Sequence, residues 1–203
     1  VLSTGMGTME EIRRAVKTLE TAGAEQMVLL HCVSIYPTKV ETINLRNILG
    51  LRKAFPKYPI GFSDHTEGDA ASVAAVALGA ALIEKHLTLD HTKVGMDNGM
   101  ATEPAAFSAL VVKCRMVQQG LGAEERTVYA EEMEQRRKMR RSVIFARDLP
   151  AGHVLARSDL YAKRPGTGIA PDRMGTLVGK TLARAVRADT LLCREDILED
   201  LDA

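Results

Sequence analysis

Two hydrophobic rhythms take turns along the first 121 residues. Short apolar runs at residues 1–3, 27–33, 59–62 and 81–83 are bounded by Gly, Pro, Ser or Thr, which predicts buried strands. Between them the spacing lengthens to that of a helix. Thr8-Met9-Glu10-Glu11 reads as a capping box, Ile12, Ala15, Val16 and Leu19 form one apolar stripe, and Gly23 ends the pattern. Further helices are predicted over 43–54, 69–78 and 104–117, the last with Pro104 in its first turn. Strand and helix alternate four times, which means a parallel sheet with right-handed crossovers. A doubly wound sheet and a (β/α)8 barrel both carry that alternation. The barrel is favoured because every strand ends in polar groups: Ser3, Ser34 with Tyr36, Ser63 with His65, and Glu84 with His86. A Rossmann fold would need a glycine fingerprint, and Gly5-Met6-Gly7 is a lone GxG. Val1 opens the chain in a strand that is already ending, so the first residue is expected to lie inside a domain.

Beyond residue 121 the alternation stops. Residues 122–141 gather charge, acidic first (Glu131, Glu132, Glu134) and then basic (Arg136, Arg137, Lys138, Arg140, Arg141), and read as a solvated linker or helix. Residues 142–203 contain an internal repeat. The pattern Ala146-Arg147, Leu149, Ala151, Leu155, Arg157, Asp159-Leu160 recurs 37 residues later as Ala183-Arg184, Val186, Ala188, Leu192, Arg194, Asp196-Ile197. Turn residues between short β-type runs predict a compact β-rich domain of two pseudo-twofold halves. Between the halves, Lys163-Arg164-Pro165-Gly166 sets two cations on a rigid turn.

Composition narrows the function classes. With 203 residues, 46% hydrophobic and 26% charged, the chain has room for one large or two small domains. A formal net charge of +1 gives no reason to expect nucleic acid or an anionic membrane as partner. No apolar run is long enough to span a bilayer. Cys32, Cys114 and Cys193 are scattered and odd in number, which predicts a reducing, cytoplasmic setting and no disulfide framework.

The strongest candidate chemistry lies in Gly61-Phe62-Ser63-Asp64-His65-Thr66 and Glu84-Lys85-His86. Alternation along a strand puts Ser63 with His65, and Glu84 with His86, on common faces. If the two strands are parallel neighbours, two imidazoles and a carboxylate converge at one rim, a donor set for a divalent ion of the Mn, Fe or Zn kind. His31, His91 and His153 have no partner at metal spacing and are expected to be structural or exposed.

Taken together, Ser3-Thr4-Gly5-Met6, His31-Cys32-Val33-Ser34-Ile35-Tyr36-Pro37-Thr38, the two stretches above and Lys163-Arg164-Pro165-Gly166 resemble the sialic-acid (N-acetylneuraminate and other nonulosonate) synthase family. The resemblance implies the second half of a (β/α)8 TIM barrel over residues 1–121, a linker over 122–141, and an antifreeze-like, β-clip SAF domain over 142–203. It implies metal-dependent condensation of phosphoenolpyruvate with an N-acetylated hexose such as N-acetylmannosamine, releasing phosphate. By the same resemblance His65 and His86 bind manganese or magnesium, and Glu84 sits beside the metal or its water. Ser3 and Ser63 contact phosphoenolpyruvate, Tyr36 and Asp97 the sugar, and Ser34 stands where some members have asparagine. Arg164 is implied to reach the sugar from the SAF domain of a partner, in a swapped homodimer. The family's phosphate-binding lysines and first four barrel strands have no counterpart here, so the chain alone is expected to be inactive. Two alternatives remain: a related 3-deoxy-2-keto acid synthase, against which the SAF-like tail argues, and a non-catalytic SAF binding module.

Overall fold

The computed structural model describes residues 1–200 of the chain. They fall into two compact units, Val1–Glu124 and Glu125–Ala203. The last three residues of the second unit lie outside the described residues.

The first unit is a parallel sheet of β1 (Leu2–Ser3), β2 (Leu29–Cys32), β3 (Ile60–Asp64) and β4 (Ile83–Lys85), hydrogen-bonded in chain order. Helices α1 (Met9–Thr21), α2 (Asn47–Ala54), α3 (Ala70–Ala77) and α4 (Pro104–Gly120) supply the crossovers and the last cover. The start of α1 follows from its capping box: Thr8 Oγ1 accepts from the Glu11 amide, and the Glu11 carboxylate accepts from the Thr8 amide. Its end follows from Gly23, whose φ of +88° lets the amides of residues 23 and 24 cap the carbonyls of Glu20 and Leu19. Helix α2 begins later than the apolar spacing predicts. A 3₁₀ turn at Val40–Thr42 comes first, and Asn44 at φ +50° interrupts the helical path. Strand β4 is displaced towards the C-terminus relative to the apolar run 81–83, because its pairing with β3 runs from Phe62↔Ile83 to Asp64↔Lys85.

Ile12, Val16, Leu29, Ile48, Leu51, Ile60, Phe62 and Ala75 form the core, between sheet and helices. Each large aliphatic there contributes about 1.5–3 kcal/mol of transfer free energy. Gly61 is required by close packing. A Cβ at this position would lie 2.5 Å from Leu30 Cδ2 and 2.6 Å from the Leu82 carbonyl oxygen, so a side chain would push β3 off its neighbours.

The second unit begins with α5 (Ala130–Met139), which occupies part of the stretch read as a linker. No residue of α5 is buried, yet its charges suit a helix: Glu131 and Glu132 stand in the first turn and Arg136, Arg137 and Lys138 in the last, opposing the ends of the helix dipole. Strands β5 (Ser142–Phe145) and β6 (Leu160–Lys163) pair antiparallel over a core of Val143, Phe145, Leu155, Leu160, Leu177, Leu182 and Leu192. The 37-residue repeat is written into the hydrogen bonds. Leu149 and Val186 exchange both backbone bonds, at 3.0 and 2.9 Å, as equivalent residues on a pseudo-twofold axis do. Gly152 donates to the Leu182 carbonyl, and its counterpart Asp189 donates to the Phe145 carbonyl, both with positive φ.

Candidate active site

The C-terminal ends of β3 and β4 carry the site. Their register sets Ser63 opposite Glu84, so Ser63 Oγ donates to Glu84 Oε1 at 2.7 Å. His65, just past β3, is buried. Its Nδ1 lies 3.0 Å from the Val33 carbonyl oxygen and its Nε2 3.3 Å from Ser63 Oγ. A carbonyl only accepts, so Nδ1 carries a proton, and in the neutral ring Nε2 holds the lone pair. The one hydroxyl proton of Ser63 goes to Glu84, which leaves that lone pair without a donor among the described residues. His86, just past β4, meets His65 edge to face with ring centroids 5.2 Å apart. The Tyr36 ring packs against both, at 4.2 Å from His65 and 5.7 Å from His86. Asp97 closes the far side, with Oδ2 3.8 Å from His86 Nδ1.

The other proposed residues are distributed differently. Ser34 is half-buried beside Cys32, with Oγ 3.6 Å from Sγ, in the space that a Cβ on Gly5 would enter. Ser3 is exposed at the end of β1, paired in register with Leu30 of β2, two strands from Ser63. Arg164 belongs to the second unit, where its Nε donates to the Met139 carbonyl at 3.1 Å. Among the described residues no group of three or more His, Cys, Asp or Glu side chains converges as a metal cage, so the two imidazoles are a pair. The remaining histidines have other partners. His31 Nε2 donates to the Ile43 carbonyl at 2.7 Å while its ring stacks on Phe62, and burial pushes its pKa down. His91 pairs with Glu103 and His153 with Asp159.

The model of the NeuB family matches residues 1–126. The chain belongs to the NeuB family. The SAF domain model matches residues 140–198 of this NeuB-family chain. It is 36% identical over 201 residues to the N,N'-diacetyllegionaminic acid synthase of Legionella pneumophila, covering 97% of this chain and 56% of that protein. It is 35% identical over 197 residues to the N-acetylneuraminate-9-phosphate synthase of Homo sapiens, covering 96% and 54%. A crystal structure of the N-acetylneuraminic acid (sialic acid) synthetase of Leptospira borgpetersenii, solved with citrate, aligns at a TM-score of 0.60 and 36% identity, covering 66% of this chain and 46% of that one. The chain thus spans about half the length of these relatives.

One pairing beside the candidate site does not emerge from the motifs. Asp64 and Lys85 lie between the candidate site residues, on the opposite faces of their strands, and form an ion pair of 3.1 Å with side chains 0% and 1% exposed. Its signal in the sequence is one acidic and one basic residue at the C-terminal ends of two neighbouring strands, each immediately before a histidine. No helix is long and apolar enough to cross a membrane among the described residues.

Proposed function

We propose that this chain is the metal- and sugar-binding half of a nonulosonic-acid synthase, the last four βα units of a (β/α)8 barrel followed by its SAF domain. The observation that carries the reading is the convergence of His65 and His86 beside the Ser63–Glu84 pair at neighbouring strand ends. The donor set fits a divalent ion, manganese or magnesium. The two imidazole rings meet with centroids 5.2 Å apart, and the Nδ1–H bond from His65 to the Val33 carbonyl is the kind of outer contact that orients a ligating imidazole. When bound, the metal supplies Lewis-acid polarisation of the sugar aldehyde.

The chain's own residues account for the rest of the chemistry. Condensation forms a bond between C3 of phosphoenolpyruvate and the aldehyde carbon of an N-acetylated hexose such as N-acetylmannosamine. The aldehyde oxygen takes a proton, water adds at C2, and phosphate leaves. Tyr36, lying across both imidazoles, and Asp97 beside His86 border the space open to the sugar. Ser63 and Ser3 offer hydroxyls to phosphoenolpyruvate, and Ser34 offers one to the substrate. Glu84, held by the hydrogen bond from Ser63 and one residue before His86's neighbour Lys85 on β4, is the carboxylate for moving the proton of the attacking water. Arg164 comes from the SAF domain of a second copy in a homodimer. The exposed apolar side chains Leu87, Leu89, Val94 and Met96 around the rim support a covering partner. A reaction drawing on phosphoenolpyruvate, and three free thiols, fit a cytoplasmic setting.

The test is phosphate release from phosphoenolpyruvate on addition of N-acetylmannosamine and Mn²⁺. Release is expected when the chain is combined with a polypeptide carrying the four preceding strands and phosphate-binding lysines of a relative. The chain alone and a His86→Ala combination should both be silent. No metal-dependent release from a folded combination, across the N-acetylated hexoses, would overturn the reading.

A further inference from the structure

We propose that the buried Asp64–Lys85 pair is a positioning device that holds the His65 and His86 rings together. The inference rests on reading those two imidazoles as the working pair of the site.

Strand β4 has three residues, and its ladder is confined to β3, so backbone pairing alone fixes its end weakly. His65 is anchored independently of β4: its carbonyl accepts from the Thr38 amide at 2.8 Å and its Nδ1 donates to the Val33 carbonyl. His86 has fewer ties. Its carbonyl accepts from the Thr102 amide at 2.8 Å, and its ring faces Asp97 at 3.8 Å. Beyond the ladder and the Ser63–Glu84 hydrogen bond on the site's own face, Lys85 joins the two strand ends from the opposite face. Its Nζ contacts Asp64 Oδ2 at 3.1 Å and donates to the Thr66 carbonyl at 2.7 Å, reaching past His65 to the next residue of the neighbouring chain segment.

Asp64 completes the tie. Oδ1 accepts from the Thr66 amide and hydroxyl, at 2.8 and 2.7 Å, which bends the chain directly after His65. Oδ2 accepts from Ser72 of α3 at 2.5 Å as well as facing Lys85. Each carboxylate oxygen therefore has two partners, and the pair is closed to solvent. An ion pair so deeply buried adds little net stability over apolar side chains of similar size, because desolvation offsets the attraction. Its product is geometric: Lys85 has its buried partners only when Ser63 faces Glu84 and His86 faces His65. A slip by one residue would turn Lys85 into the site and His86 out of it.

The experiment compares the parent chain with a neutral double variant, Asp64→Asn/Lys85→Met, which removes both charges without stranding either. The asparagine keeps an acceptor for Thr66, and the methionine keeps most of the length of the lysine side chain. Three quantities are read: the melting temperature, the nuclear Overhauser effect between the His65 and His86 ring protons, and Mn²⁺ affinity. The parent should show the inter-ring effect. The double variant should melt within a few degrees of the parent, show no inter-ring effect, and bind Mn²⁺ at least about tenfold more weakly, the scale expected when an orienting partner of a ligand is removed. If the double variant does not fold, Lys85→Arg, which keeps the charge, is read instead and should weaken the inter-ring effect at a native melting temperature. An undiminished inter-ring effect in whichever folded variant is read, or its absence from the parent, would overturn the inference. A parent that shows the effect but binds no Mn²⁺, beside a variant that does not show it, would leave the positioning role standing and defeat the metal reading alone.

Discussion

Asp159 in the second unit offers a sharply worked test of how the repeat stabilises the SAF domain. Its side chain is fully buried and only accepts: Oδ1 from Arg147 Nε at 2.8 Å, and Oδ2 from the Ala156 amide at 2.9 Å and His153 Nε2 at 2.8 Å. The backbone amide of Ala156, then His153 and Arg147, hold its carboxyl well below the usual 3.8, at about 2, against the opposing effect of burial. At about 1.36 kcal/mol per pH unit this is roughly 2 kcal/mol in favour of the folded state. A depressed folded pKa contributes fully above the unfolded value near 4, and the contribution is lost as pH falls towards 2. Replacing Asp159 with Asn removes that contribution and turns an amide N–H₂ towards at least one buried donor, a further cost of about 1–3 kcal/mol. The two overlap, so Asp159→Asn should lose roughly 2–4 kcal/mol at neutral pH. Amide exchange of Val143, Phe145 and Leu192, all hydrogen-bonded within this unit, reports the loss. Asp196 provides an internal control. It accepts from Arg184 and the Cys193 amide in the same geometry, but Thr190 stands where its twin has His153, so Asp196→Asn should cost less. A loss under about 0.5 kcal/mol in Asp159→Asn, or an acid decline between pH 4 and 2 as steep as the parent's, would refute the reasoning.

Two other perturbations separate structural from functional residues. Burial lowers the His31 pKa, so the parent should lose stability as pH falls below about 6.5, the unfolded value. His31→Gln should flatten that loss in urea titrations between pH 7 and 5 while leaving Mn²⁺ binding unchanged, and an unaltered slope would count against it. If Arg164 acts across a dimer, mixing Arg164→Ala with His86→Ala forms of the assembled enzyme should restore part of the activity through hybrid dimers. No rescue after demonstrated subunit exchange would show that Arg164 does not act in trans.

Much of the first unit is legible in the sequence because strand and helix periods differ so clearly. The capping box at Thr8 and the terminator at Gly23 mark α1 directly, and the polar residues after the apolar runs 59–62 and 81–83 mark the strand ends where His65 and His86 meet. What the sequence hides is governed by pairing between distant segments. The position of β4 depends on its register with β3, which shifts the strand past the apolar run 81–83 to include Glu84 and Lys85. The same register makes Asp64 and Lys85 partners, a pairing that neither strand shows when taken alone. Helix α5 is ambiguous for the converse reason: it has no apolar face, and only the order of its charges distinguishes it from a linker. The repeat is visible at once, because equivalent Arg, Asp and aliphatic positions recur without insertion over both halves.

The central claim is that His65 and His86 together hold a divalent ion, and electron spin resonance of the chain loaded with Mn²⁺ tests it most directly. Pulsed spectra of the parent should contain nitrogen hyperfine couplings from two imidazoles. His65→Ala and His86→Ala should each lose one of them, with at least about a tenfold fall in affinity, and His91→Ala should match the parent. Mn²⁺ bound without nitrogen coupling, or couplings unchanged in both single variants, would contradict the account.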